Sequence, residues 1–154
     1  MIRFIFPCLA AFIACIGFSV LYQIRGKKII VASLCGFVAW AAYLTVFHFT
    51  ESEVISYFTA GAAIALYAET AAFIFKNPAT LFLATGIIPT VPGLTIYKTM
   101  QACLFGDVHK FLEYGIQTVK ISLAIALGLI LVSSLWKLVR VMYSRFSKTN
   151  KSTA

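Results

Sequence analysis

Three residues interrupt an otherwise apolar run: Pro89, Pro92 and Gly93, within Ile88-Pro89-Thr90-Val91-Pro92-Gly93. Proline in a helix interior removes a backbone donor and clashes with the preceding turn. Pro89 therefore cannot donate to the carbonyl of Thr85, nor Pro92 to that of Ile88. In lipid no water satisfies those carbonyls, and membrane proteins keep such breaks where they are buried in protein or line a cavity. The chemistry on offer has two signs. The carbonyl end of the first half-helix attracts a cation or an ammonium, and the amide end of the second attracts a carboxylate. A zwitterionic amino acid carries both groups on one carbon. Thr85, Thr90 and Thr95 add hydroxyls, Tyr97 adds a phenol, and Gly93 permits a turn or a close ligand. The competing reading is a structural kink. Two prolines and a glycine at mid-depth favour the unwound substrate site, of the kind found at broken transporter helices.

Glu69 is the one carboxylate well inside an apolar segment. Placing a carboxylate at the centre of a span costs roughly 2.5–3.5 kcal/mol on insertion scales. Ala62, Ala65, Glu69 and Ala72 recur at helical spacing, so Glu69 shares a face with residues small enough to admit another helix. Two readings stand: a proton- or substrate-coupling group, or a static contact with Lys76 or a partner chain. Glu113, Gln117 and Lys120 share a face at i, i+4 and i+7. They form a polar exit path or, more simply, a solvated face. Lys98 can snorkel to the interface.

Little else is reactive. Cys8, Cys15, Cys35 and Cys103 have no metal or redox spacing and read as packing residues, and His48 and His109 have no metal-like companions. No nucleophile elbow, phosphate loop or catalytic cluster is present, so the expectation is no enzyme, no cofactor and no metal.

These residues must be positioned by membrane helices. The 154 residues are 61% hydrophobic and 12% charged, against roughly half and a quarter in soluble domains. Five runs are near the roughly 20 apolar residues that cross a bilayer: about 4–24, 29–48, 54–75, 79–100 and 114–138, the fourth broken. The expected fold is all-α, a polytopic bundle in one transmembrane domain, 1–143, followed by a basic, disordered tail, 144–154. The first run is too long for a signal-peptide core and reads as a retained helix. Lys76-Asn77-Pro78 reads as a helix start, with Asn77 as N-cap and Pro78 at the first helical position. Arg25, Lys27 and Lys28 follow span one, Lys76 follows span three, and Lys137, Arg140, Arg145, Lys148 and Lys151 close the chain; Glu51 and Glu53 follow span two. The positive-inside rule then places the N-terminus outside and the C-terminus in the cytoplasm. Arg3 is outvoted. The net charge of +8 thus reflects topology, with no basic face interleaved with aromatics for nucleic acid.

Lys-x-Pro, a short apolar stretch and Ile-Ile-Pro-x-Val-Pro-Gly with Tyr97 four residues later resemble the threonine/serine exporter family. The match is to its small YjjB-like membrane subunit, which corresponds to the C-terminal half of fused ThrE exporters. Thr90 departs from the bulkier apolar residue often found there. The resemblance implies export of small hydrophilic metabolites, threonine and serine above all, driven by the proton motive force across a bacterial cell membrane. It also implies a larger partner subunit, with a cytosolic N-terminal domain before its own five spans. Some two-subunit relatives resemble exporters of the dicarboxylate succinate. A structural or assembly subunit without a substrate site, and a passive channel, are the alternatives.

Overall fold

The computed structural model describes the backbone of residues 2–152 and the side chains of residues 4–142. The described chain is all helical, in the order α1 (Ile2–Leu21), α2 (Lys28–Thr50), α3 (Glu53–Phe75), α4 (Ala79–Ile87), a 3-10 turn (Ile88–Thr90), α5 (Gly93–Leu104) and α6 (Val108–Ser152). Four of these are long and apolar enough to cross a membrane; α4 with its 3-10 turn and α5 pass the same test only together, as a pair bent by 52°, the geometry of a broken span or a re-entrant loop. Four of the five expected spans are thus single helices, and the fourth expected run is the bent pair, broken where the prolines stand.

The ends differ from the sequence reading. Span one stops at Leu21, because Gln23 and Gly26 take positive φ (57° and 71°) and turn the chain. Ile24, expected at the end of a helix, instead plugs a core made with Ala32, Ala68, Ala71 and Phe82. Span five begins six residues early, at Val108. Asp107 starts it by accepting the Lys110 backbone N–H at 3.1 Å on Oδ1, the usual service of an N-cap carboxylate. Helix α6 also runs on to Ser152, through the stretch expected to be disordered. No proline or glycine follows Gly128, so nothing in the sequence breaks it. The side chains of Arg145, Lys148 and Lys151 in that tail, and of Arg3, lie outside the described residues.

The Asp107 contact has a pH consequence. The Lys110 amide holds the Asp107 carboxyl below its ordinary value of 3.8. A carboxyl depressed in the folded state contributes stability above its unfolded pKa and loses it as pH falls through the folded value. Amide exchange at Lys110 is therefore expected to stay protected down to the ordinary carboxylate range and to lose protection only at more acid pH. In Asp107→Asn, whose amide oxygen still caps, that acid limb disappears.

Two contacts define the ends of the bundle. Lys28 Nζ donates to Asn77 Oδ1 at 3.0 Å, tying the α1–α2 connection to the α3–α4 connection. Gln117 Nε2 donates to Glu53 Oε2 at 2.7 Å, tying the start of α3 to the start of α6. Helices α3 and α6 consequently run parallel. The Lys28–Asn77 contact also changes the reading of Lys76-Asn77-Pro78. Helix α4 begins at Ala79 with Pro78 in the flanking position, and Asn77 makes no cap bond. Its side chain accepts from Lys28 and donates to the Phe75 carbonyl at 2.7 Å. Lys76, at φ 50°, closes α3 through its N–H to the Ala72 carbonyl.

The layers pack through small residues. Helix α2 lies between α1 and α3, and α4 rests on α2 and α3. The Tyr67 hydroxyl donates to the Val31 carbonyl at 2.9 Å across the α2–α3 seam. At the α3–α6 seam, a Cβ on Gly61 would stand 2.6 Å from the Ile125 carbonyl oxygen, and one on Gly128 would overlap the Phe58 carbonyl oxygen. Backbone meets backbone there, the close approach that small residues permit between membrane helices.

Candidate functional site

The expected site residues fall into three groups. Thr85, Thr90 and Pro92 are buried, Pro89 and Thr95 are half-buried, and Gly93 and Tyr97 are exposed. The break is therefore inserted into the bundle by its first half and opens to the surroundings by its second. Pro89 Cγ would lie 3.3 Å from a Cβ at Gly36, and that same Cβ would overlap the Cys15 sulfur. Gly36 is the notch on α2 that admits both.

The break satisfies more of its own carbonyls than proline chemistry alone suggests. The Thr85 carbonyl, which Pro89 cannot serve, accepts the Cys15 thiol at 3.3 Å. The Ile88 carbonyl, which Pro92 cannot serve, accepts the Val91 N–H at 3.3 Å. Thr90 donates its hydroxyl to the Ile87 carbonyl at 2.7 Å, Thr85 to Leu81 at 2.9 Å and Thr95 to Pro92 at 2.9 Å. The expectation of unpaired carbonyls at the end of the first half is corrected accordingly. Each oxygen keeps a second lone pair, but the primary acceptor sites are taken. Cys15, read from sequence as a packing residue, is that and also the donor that replaces a lost amide. No spacing rule could have found it, because α1 and α4 meet only in three dimensions.

The second half looks different. Pro92, at φ −74° and ψ 57°, forms an inverse γ-turn, closed by the Gly93 N–H to the Val91 carbonyl at 2.7 Å. After Gly93, whose N–H closes that turn, the next α5 amide bonded to it is that of Ile96, to the Pro92 carbonyl at 3.1 Å. The early amides of a helix point along its axis with no partner of their own. A Cβ on Gly93 would meet nothing within 4 Å, so there is open space beside the start of α5.

Glu69 is 8% exposed and makes no hydrogen bond or ion pair among the described residues. The alternative of a static pair with Lys76 is not realised: Lys76 sits in the left-handed cap and is exposed. Glu69 lies on the α3 face that carries Gly61 and Ala65, which packs on α6. On α6, Trp136 Nε1 is buried with no hydrogen-bond partner among the described residues. Sequence reading did not single out Trp136; indole in a membrane helix ordinarily marks an interface.

Four cavities stand out, and none is lined by the break. One of about 420 Å³ lies where α5 meets α6, beside Lys98, Gln101, Asp107, Lys110 and Tyr114. Lys98 Nζ stands 5.4 Å from the Tyr114 ring centroid, and Lys110 pairs with Asp107 at 3.0 Å. A second, of about 450 Å³, is lined by Glu53, Glu113, Gln117 and Lys120. The i, i+4, i+7 stripe read from sequence thus faces a hollow against the start of α3. A third, of about 280 Å³, is apolar, with Lys120 at its rim. The fourth is lined by Phe73, Trp136, Val139 and Arg140, with a volume of about 210 Å³.

Residues 7–135 match the family model of the threonine/serine exporter ThrE. The chain belongs to that family. The match reaches every helix of the bundle, takes in the break and ends within α6. No curated protein and no solved structure shows significant similarity to the chain. Membership makes this a multi-pass membrane protein of a transport family, and the broken span is a structural feature of this exporter-family chain.

Proposed function

We propose that the chain is the membrane subunit of a proton-driven exporter of threonine, serine or a similar small hydrophilic metabolite, working with a larger partner subunit that carries a cytosolic N-terminal domain. The observation that carries this reading is the family match over residues 7–135 on a bundle whose fourth span is bent at its prolines. The amide end of α5, open beside Gly93, is the part of the break suited to a substrate carboxylate. The buried, unpartnered Glu69 is the coupling group: it can take up and release a proton without breaking a contact of the fold. The connections at the Lys28–Asn77 end carry Arg25, Lys27, Lys28 and Lys76, whereas Glu51 and Glu53 lie at the opposite end. This supports a cytoplasmic α1–α2 end and an external N-terminus in a bacterial cell membrane.

The test is intracellular threonine in cells fed a threonine dipeptide. Cells with the wild-type chain and its partner clear the load; Pro92→Ala and Gly93→Leu are expected to retain it at the level of cells lacking the chain. Equal clearance by wild type and both variants removes the break from the mechanism. The internally satisfied carbonyls favour a second reading, in which the prolines only shape a helix interface. On that reading the variants lose partner binding, and transport returns once the complex is restored by a tether.

A further inference from the structure

The α5–α6 hairpin reaches past the rest of the bundle and carries donors that the fold does not use. Helix α3 has 23 residues, about 34 Å at 1.5 Å per residue, enough to cross a hydrocarbon core of roughly 30 Å. Glu53 begins it and Lys76 caps it, so these two charges mark the faces of that core. On α6, Gln117 is level with Glu53, because their side chains bond. Yet α6 begins at Val108, about nine residues earlier and roughly 14 Å further out. By the same rise Tyr114 lies about 4–5 Å past Glu53. Lys98 of α5 is level with Tyr114, its Nζ 5.4 Å from the ring centroid. The headgroup layer adds roughly 5–7 Å on each side of the core, so Lys98 and Tyr114 sit at the depth of the lipid phosphates.

Both residues line the cavity of about 420 Å³ where α5 meets α6. The polar lining of that cavity is unbalanced. Lys98 is half-buried and has no carboxylate within ion-pair distance among the described residues. The Gln101 amide and the Tyr114 hydroxyl line the same cavity and make no hydrogen bond among the described residues. Asp107 brings a carboxylate, but Lys110 takes both of its oxygens, with the backbone N–H at 3.1 Å on Oδ1 and Nζ at 3.0 Å on Oδ2. What is left over is one uncompensated cation with two neutral donors beside it. Phe105, 80% exposed, gives the cavity an apolar wall.

We propose that this cavity binds the headgroup of an anionic phospholipid, of the phosphatidylglycerol type: Lys98 receives the phosphodiester, Tyr114 and Gln101 donate to phosphate or glycerol oxygens, and Phe105 lies along the hydrocarbon. Charge-assisted bonds to phosphate are the strong class of hydrogen bond, and a basic pocket between membrane helices is a recurrent form of anionic headgroup site. One phosphodiester charge balances the one uncompensated lysine. An ethanolamine headgroup would add an ammonium beside Lys98 with Asp107 already engaged. Free inorganic phosphate offers the same oxyanion, and the test separates the two sources. The cavity favours the lipid, because it has room for about fourteen waters at roughly 30 Å³ each, more than one ion fills.

The test is native mass spectrometry of the full-length chain, purified in detergent and stripped of lipid, with phosphatidylglycerol, phosphatidylethanolamine or phosphatidylcholine added singly at equal concentration. The wild type is expected to bind one phosphatidylglycerol about tenfold more tightly than either of the others. Lys98→Gln is expected to weaken that lipid by roughly ten- to a hundredfold, and Tyr114→Phe by about tenfold or less. Lys98→Arg keeps the charge and the binding. Lys120→Gln removes a cation from the same end of the bundle but from outside this cavity, and leaves binding unchanged. The lipid comparison on the wild type needs no variant, so a Lys98→Gln chain that fails to fold does not shield the proposal. Four results overturn it: no preference for phosphatidylglycerol in the wild type, undiminished binding in Lys98→Gln, an equal loss in Lys120→Gln, or displacement of the lipid by millimolar inorganic phosphate, which assigns the cavity to a soluble anion. No transport enters the readout, so the result stands apart from the exporter reading.

Discussion

Glu69→Gln is expected to abolish proton-driven threonine export while the bundle stays folded. Glutamine keeps the shape and removes the ionisable group. Had Glu69 been held by a buried ion pair, losing one partner would cost about 3–5 kcal/mol. Here there is no pair to break among the described residues. An uncharged amide is also cheaper to bury than a carboxylate, so thermal stability in detergent is expected to be unchanged or raised. The functional signature separates coupling from simple damage. Net efflux driven by an imposed proton gradient falls to background, whereas exchange of labelled for unlabelled threonine at saturating concentration persists, because exchange moves no net proton. A variant that retains gradient-driven efflux returns Glu69 to the static role, and one that loses exchange as well shows a general defect in the site.

Gly128→Ala is expected to be among the most destabilising single-methyl additions in this chain, and Gly93→Ala among the mildest. Both exchange glycine for alanine in a helix, which by propensity alone gains about 1 kcal/mol. At Gly128 the new Cβ would overlap the Phe58 carbonyl oxygen and stand 2.9 Å from the Ala62 amide nitrogen. Backbone atoms cannot rotate aside, so α3 and α6 must separate. Overpacking costs about 1–3 kcal/mol in well-packed cores, and against two fixed backbone groups the upper part of that range applies. The steric term outweighs the propensity term, and net destabilisation follows. At Gly93 nothing lies within 4 Å, and the propensity term is unopposed. Thermal unfolding of the two variants in the same detergent gives the comparison. A Gly128→Ala chain as stable as wild type would mean that the seam is looser than described. The two glycines also separate fold from function: Gly93 is tolerant of a methyl in the fold and is the position where a larger side chain, as in Gly93→Leu, is expected to block export.

How much of this was legible beforehand differs from residue to residue. The break at Pro89 and Pro92 could be read directly, because a missing amide is a covalent property that no environment restores. The stripe of Ala62, Ala65, Glu69 and Ala72 correctly indicated a close helix neighbour, since helical spacing alone puts those residues on one face. It could not say which helix, and Gly128, the other half of the contact, stands among apolar residues with no local signal. Asn77 illustrates the opposite failure. Its sequence context is that of an N-cap, yet a lysine 49 residues earlier takes its side chain, and local preference yields to a stronger tertiary partner. The family resemblance, read from the motif around Pro89 to Tyr97, agrees with the match over residues 7–135.

By itself, then, the amino-acid order determined the number of apolar spans, the place where the fourth must break and the family to which the chain belongs. These follow from hydropathy, from proline's missing donor and from a short motif, all of them properties of neighbouring residues. Only the tertiary structure decided that Cys15 would answer the Thr85 carbonyl, that Glu69 would be buried without a partner among the described residues, and that Gly128 would meet the Phe58 carbonyl. Those outcomes depend on which helices meet and in what register, and register is set by backbone contacts such as Gly61 with Ile125, between residues far apart in the chain.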